Sequence, residues 1–139
     1  IRVHCDGSSS GKSNQPGGWA YVIEKDGQPL HANYGGHPST TNNLMELEAA
    51  IQGLKALALV IDKYPTDEVV LVSDSRYTLG MAAAKYSAIA NLEKVLELQA
   101  LYKTLCNETR WVRGHAGDPF NERCDSLARL GKSLYKTPT

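Results

Sequence analysis

Val69-Val70-Leu71-Val72-Ser73-Asp74 is a continuous β-branched and aliphatic run that stops at an acid. Four apolar residues without alternation read as a strand covered on both faces, so structure is needed above and below its sheet. The residues on either side supply it. Upstream, Leu47, Ala50, Ile51, Leu54, Leu57, Ala58 and Ile61 recur at three- and four-residue spacing and predict a helix with one buried stripe. Downstream, 76–85 and 91–105 read as helices, the second with Leu98, Leu101, Tyr102 and Leu105 on its apolar face, and Thr109 to Val112 reads as a last strand.

Before the first helix the period is two. Ile1, Val3 and Cys5 alternate with Arg2, His4 and Asp6, a short strand ending at Asp6-Gly7. The Gly, Ser and Asn run from Gly7 to Gly18 is a loop, Trp19 to Glu24 a second strand, Asp26-Gly27 a tight hairpin, and Pro29 to about Gly35 a third strand. Trp19, Trp111, Cys5 and Cys124 read as packing residues. Three strands, a helix, then strands alternating with helices describe an α/β chain with a mixed sheet flanked by helices. In such sheets the reactive crevice lies off the carboxyl ends of the parallel strands, where Asp6 and Asp74 both stand if their strands are parallel neighbours.

A length of 139 residues suits one domain, 1–139, with a core that needs no staples. Fifteen basic and fifteen acidic residues cancel, so nothing attracts a polyanion globally and any phosphate binding falls to a local patch or to metal ions. Three cysteines, an odd number, in a chain without a signal-like or bilayer-length apolar run point to thiols in a reducing cytoplasm, away from membranes. A cytoplasmic monomer is expected.

Four acids fall at element ends or on a core-bordering face: Asp6, Glu46, Asp74 and Asp125. Any one alone is most simply a turn or cap residue. Glu46 is in line with Ala49, Ala50 and Gly53, small residues that let a helix approach a sheet, whereas Glu48 is in line with Gln52 and Lys55 and reads as an ordinary surface charge. Asp125 belongs to Arg113–Asp125, in which Gly114 and Gly117 flank His115 and Asp118-Pro119 has the form of an N-cap followed by proline at the first helical position. The helix dipole there favours an ionised Asp125, and Leu127, Ala128, Leu130 and Leu134 are available for the core. Four carboxylates in one crevice repel one another unless cations sit between them. Hard oxygen donors select Mg²⁺ or Mn²⁺ over Zn²⁺, and two such ions about 3.5–4 Å apart suit in-line phosphoryl displacement. His115, on a glycine-flanked loop beside the acids, suits a proton shuttle or an aid to product release.

Asp6-Gly7-Ser8-Ser9-Ser10-Gly11-Lys12-Ser13 is one residue away from a phosphate-binding P-loop. The first glycine of that pattern is replaced by Asp6, and Asn14 to Gly18 follows where a helix should begin, so nucleotide hydrolysis is the weaker reading.

Asp6-Gly7-Ser8, Thr41-Asn42-Asn43-Leu44-Met45-Glu46, Ser73-Asp74-Ser75-Arg76-Tyr77, and Gly114-His115-Ala116-Gly117 with Asn121-Glu122-Arg123-Cys124-Asp125 resemble, in order and over nearly the whole chain, the ribonuclease HI family. The last two blocks are the specific ones. The resemblance implies a ribonuclease H-like five-stranded mixed sheet flanked by helices. The activity it implies is cleavage of the RNA strand of an RNA–DNA hybrid, leaving 5′-phosphate and 3′-hydroxyl ends. It further implies two Mg²⁺ ions, or Mn²⁺ in their place, held by Asp6, Glu46, Asp74 and Asp125, with His115 assisting. By the same resemblance Asn42, Asn43 and Arg76 contact the hybrid near the cut and Thr41 helps hold a DNA phosphate. A non-catalytic hybrid-binding module on this fold is disfavoured because all four acids are present. One departure stands out: many bacterial relatives carry a basic, tryptophan-containing helix and loop between the third acid and the histidine, whereas Met81 to Ala90 is short and holds one lysine.

Overall fold

The computed structural model describes residues 1–10, 14–85, 88 and 90–135. Among them the chain runs β1 (Arg2–Ser9), β2 (Gln15–Lys25), β3 (Gln28–Thr40), α1 (Asn42–Ala58), a 3₁₀ turn (Ile61–Lys63), β4 (Val70–Ser73), α2 (Arg76–Ala82), α3 (Leu92–Leu105), β5 (Glu108–Trp111) and α4 (Pro119–Ser133). The strands form one sheet in the order β3-β2-β1-β4-β5. β1, β2 and β3 make the antiparallel meander, while β4 lies parallel to both β1 and β5. The α/β class and the five-stranded mixed sheet are as the sequence led one to expect.

Both faces of the sheet are covered. On one, Val3, Cys5, Tyr21, Ile23 and Leu71 meet Leu47, Ile51, Leu54 and Leu57 of α1 in a core from which these side chains are almost wholly removed from water. Each fully buried aliphatic there stabilises the fold by about 1.5–3 kcal/mol. Ala58, by contrast, is exposed, and Ile61 has passed into the 3₁₀ turn. On the other face α4 packs across β1, β2 and β3.

The strands of the meander are longer than their apolar patterns. β1 continues past Asp6 to Ser9, because Asp6↔Ala20 and Ser9↔Gly17 keep pairing with β2 after the parallel ladder with β4 has ended at His4↔Val72. β3 continues through Pro38 to Thr40, which an edge strand allows because a missing N–H there leaves no neighbour unpaired. Asp26 and Gly27 both have positive φ, 52° and 82°, as a type I′ hairpin requires. The segment that resembled a P-loop joins two strands and opens no helix; its residues 11–13, Lys12 among them, lie outside the described residues.

Two helices depart from the expected form. α4 buries Asn121, Cys124, Ala128 and Gly131, whereas Leu130 and Leu134 are 50% and 62% exposed and Leu127 is only half-buried. Contact distance is the reason: a Cβ on Gly131 would stand 1.9 Å from the Gly35 carbonyl oxygen, so small residues face the sheet and the leucines turn outward. α2 stops at Ala82 rather than Lys85. The Lys85 N–H bonds the Gly80 carbonyl at 2.8 Å and the Ala84 N–H that of Met81 at 3.1 Å, with Ala84 at φ 57°. This is a Schellman ending with alanine in the left-handed position usually taken by glycine.

Candidate active site

The parallel register places the acids. The β1–β4 pairing Arg2↔Val70, Val3↔Leu71 and His4↔Val72, continued two residues, sets Asp6 beside Asp74 just past the end of the parallel ladder. Glu46 enters from the beginning of α1, where the Gly7 N–H donates to its Oε1 at 3.0 Å. A Cβ on Gly7 would lie 2.5 Å from the Glu46 nitrogen, so glycine at this position lets α1 close onto the strand. One oxygen from each of Asp6, Glu46 and Asp74 lies within 4.8 Å of the others.

Asp6 and Glu46 are 4% and 5% exposed. Burial, then the Asp74 charge, pushes the Asp6 carboxyl up to about 7, and burial, then Asp6, raises Glu46 well above the usual carboxylate range. Among the described residues, Glu46 Oε2 is buried without a hydrogen-bond partner. An orphaned carboxylate oxygen inside a ring of acids fits a divalent cation, which would satisfy the orphan and relieve the repulsion together.

Asp74 is half-buried and held from three sides. The Asn121 amide donates to its Oδ2 at 3.3 Å, and the Trp111 indole Nε1–H donates to its backbone oxygen at 3.0 Å. The chain passes overhead at Gly114, where a Cβ would meet Asp74 Oδ2 at 2.9 Å. From there the loop carries His115, exposed and at φ 56°, and Gly117 at φ 91° to the N-cap Asp118, whose carboxylate accepts from the Phe120 and Asn121 N–H groups at 3.0 and 2.9 Å. Asp125, two turns into α4, lies near enough to raise Asp6 but stands outside the triad, its Oδ2 3.2 Å from Arg129. Thr41 is the α1 N-cap, its Oγ1 accepting from the Leu44 N–H at 3.2 Å, and Asn42 and Asn43 are exposed at the helix start. Arg76, also exposed, opens α2 one residue after the Ser75 cap.

Two sequence readings need amendment here. Trp111 is not a core residue: it is 43% exposed and carries the Arg76 guanidinium 4.2 Å above its ring. β5 is an edge strand that α4 does not cover, so an aromatic residue there need not be buried. Glu48 is not a free surface charge, because α3 brings Lys94 to 2.9 Å from its Oε2 while Gln52 donates to its Oε1 at 2.6 Å. Burial pushes its pKa up, but these two partners outweigh that and leave it lowered. His4, on the face of β1 opposite Val3 and Cys5, is 3% exposed, hydrogen-bonded to Glu24 at 3.1 Å and stacked on Phe120 at 4.7 Å, because α4 covers that face. Trp19 does pack partly against the core, and Cys5 and Cys124 are buried thiols.

Asn121 and Trp111 are the site residues that the sequence did not single out. Asn121 left a signal, a polar residue in line with Cys124 and Ala128 on a buried helical stripe. Trp111 left none.

The RNase H family profile matches residues 1–133. The chain belongs to the RNase H family. Ribonuclease H of Maricaulis maris is 38% identical over 144 residues, covering 94% of this chain and 92% of that protein. Ribonuclease H of Ehrlichia ruminantium is 40% identical over 138 residues, covering 93% and 92%. As a member of this family the chain is an enzyme, a ribonuclease H. Among solved structures, LC11-RNase H1 isolated from compost superimposes with a TM-score of 0.81 at 24% identity, covering 96% of this chain and 95% of that one. RNase H1 from the archaeon Halobacterium salinarum NRC-1 does so with a TM-score of 0.78 at 22% identity, covering 96% and 98%. LC11-RNase H1 has also been solved in complex with an RNA/DNA hybrid; that structure gives a TM-score of 0.78 at 24% identity over 96% of each chain. Among the described residues no helix is long and apolar enough to cross a membrane.

Proposed function

We propose that this RNase H hydrolyses the RNA strand of RNA–DNA hybrids, leaving 5′-phosphate and 3′-hydroxyl ends, with two Mg²⁺ ions, or Mn²⁺, held by Asp6, Glu46, Asp74 and Asp125. The observation that carries this reading is the triad of two buried and one half-buried carboxylates with an orphaned Glu46 oxygen, an arrangement costly without a cation. When bound, the ions supply an activated water and charge stabilisation on the leaving oxygen. The protein's part is positional. Gly7 and Asn121 orient Glu46 and Asp74, so the oxygens converge before anything binds. Asp125 joins the set by releasing Arg129, an exposed partner whose pairing is weak in water.

The first turn of α1 contains no acid, so its N-terminal amides favour a phosphate, and Thr41, although accepting from Leu44, keeps its hydroxyl proton to donate. Asn42 and Asn43 then face the minor groove, where 2′-hydroxyls are displayed. His115 reaches the site from a loop tip and moves a proton or helps product leave. The chain acts as one domain over 1–139, as a monomer in the cytoplasm.

The test is incubation of the chain with end-labelled hybrid, duplex RNA and duplex DNA, with Mg²⁺, with Mn²⁺ and with chelator. Only hybrid is expected to be cut, only with metal, and the RNA fragments should carry 5′-phosphates. Cutting of all three duplexes alike, or cutting in chelator, would overturn the reading.

A further inference from the structure

Beside Asp74, α2 and β5 enclose a cleft of about 190 Å³ lined by Arg76, Leu79, Gly80, Lys85, Thr109 and Trp111. Among the described residues two cations and no carboxylate line it. That is unusual on this molecule, whose charges cancel overall. A larger cavity at the opposite end of the strands sets Arg2, Lys25 and Arg110 among five acids, and its cations are spent on them, Lys25 on Asp67 at 2.6 Å and Arg110 on Glu108 at 3.2 Å. Among the described residues neither Arg76 nor Lys85 pairs with a carboxylate.

Arg76 is nevertheless held in place. Its guanidinium lies 4.2 Å from the Trp111 ring centroid, and the same indole donates its N–H to the Asp74 backbone oxygen at 3.0 Å. One side chain therefore ties the orientation of Arg76 to the position of Asp74. A guanidinium stacked by its face sheds water there and keeps its N–H edge free for an anion. Across the cleft the backbone of Lys85 is fixed by the Schellman bond to Gly80 at 2.8 Å.

We propose that this cleft seats one backbone phosphate of the bound nucleic-acid strand next to the cut, with Arg76 and Lys85 as its cations and Trp111 as the positioning residue that holds Arg76 in register with Asp74. The inference rests on the nuclease reading above.

The experiment is hybrid cleavage and equilibrium hybrid binding by the unaltered chain, Arg76→Ala, Lys85→Ala, Trp111→Phe, Trp111→Leu and the Arg76→Ala/Trp111→Leu double variant, with folding checked by thermal melts. Arg76→Ala raises KM about tenfold with kcat nearly kept, as loss of one charge-assisted contact implies. It also flattens the slope of log K against log salt by about 0.9, the loss of one phosphate contact. Lys85→Ala does the same in smaller measure, and Trp111→Phe, which keeps a stacking face but loses the N–H that bonds Asp74, raises KM less than Trp111→Leu does. Trp111→Leu raises KM, and the double variant is no worse than Arg76→Ala alone, because the indole acts through the arginine. Additive effects in the double variant, or a fall in kcat at constant KM for Trp111→Leu, would overturn the proposal. If Trp111→Leu does not fold, an unchanged salt slope in Arg76→Ala overturns it instead. Absence of any hybrid cleavage by the unaltered chain would sink the nuclease reading, whereas cleavage with an unchanged Arg76→Ala slope would sink only the phosphate cleft.

Discussion

At the scale of single residues, the acids of the triad work against the fold when no cation is present. Asp6 has an ordinary carboxyl pKa of 3.8 when unfolded and about 7 when folded, so between these values the folded state holds a proton that the unfolded chain has released. Stability without metal therefore falls as pH rises from about 4 to 7, and Glu46 adds to the same slope. In chelator, the melting temperature of Asp6→Asn should change less between about pH 5 and pH 8 than that of the unaltered chain. At about pH 8 the variant should melt higher by roughly 5 °C. A variant that melts lower at both pH values would make Asp6 a structural cap. The same variant, with Glu46→Gln and Asp74→Asn, should lose hybrid cleavage by more than about a thousandfold. His115 is different in kind, exposed on a loop and outside the triad. His115→Ala should lower kcat by about ten- to a hundredfold with KM largely kept; a complete loss under every metal condition would contradict an assisting role. These site acids were legible in the sequence because each follows an apolar strand pattern or is in line with small residues on a helix. Glu48 and Trp111 were misread because the partners that define them, Lys94 and Arg76, come from other helices.

At the scale of elements, α4 and α2 are held by backbone constraints that side-chain hydrophobicity does not report. Gly131→Ala would drive a Cβ into the Gly35 carbonyl and push α4, with Asn121 and the His115 loop behind it, away from the sheet. Urea melts should show a loss of about 2–4 kcal/mol, in the upper range for overpacking, and the Asp74–Asn121 contact should loosen with it. Leu130→Ala, on the outward face of the same helix, should cost under about 0.5 kcal/mol. In α2, Ala84→Gly removes the penalty of a Cβ at φ 57° and should add about 0.5–1 kcal/mol without touching KM. A loss of stability on that substitution would contradict the Schellman ending.

For the molecule as a whole, the segment between α2 and α3 contains no further helix among its described residues and one lysine, while the net charge is zero. Phosphate contacts by Lys and Arg supply much of the affinity for a duplex, at about −0.9 in salt slope each. The chain should therefore bind hybrid weakly, with high KM, near-ordinary kcat at saturation and a shallow salt dependence. Inserting a lysine-rich helix between Lys85 and Asn91 should lower KM and steepen that slope at nearly constant kcat. Tight, steeply salt-dependent binding by the unaltered chain would mean that a patch beyond Arg76 and Lys85 supplies the grip. By itself the sequence determined the α/β order, the buried strand Val70–Ser73, the stripe of α1, the turn at Asp26-Gly27 and the candidate acids, because each is written in local periodicity, turn chemistry or position at an element's end. Only the tertiary structure decided that Asp6, Glu46 and Asp74 converge while Asp125 waits beside Arg129, that α4 meets the sheet through glycine and alanine, and that Trp111 joins Asp74 to Arg76. Those outcomes depend on strand register and on the distance between layers, and a local pattern carries neither.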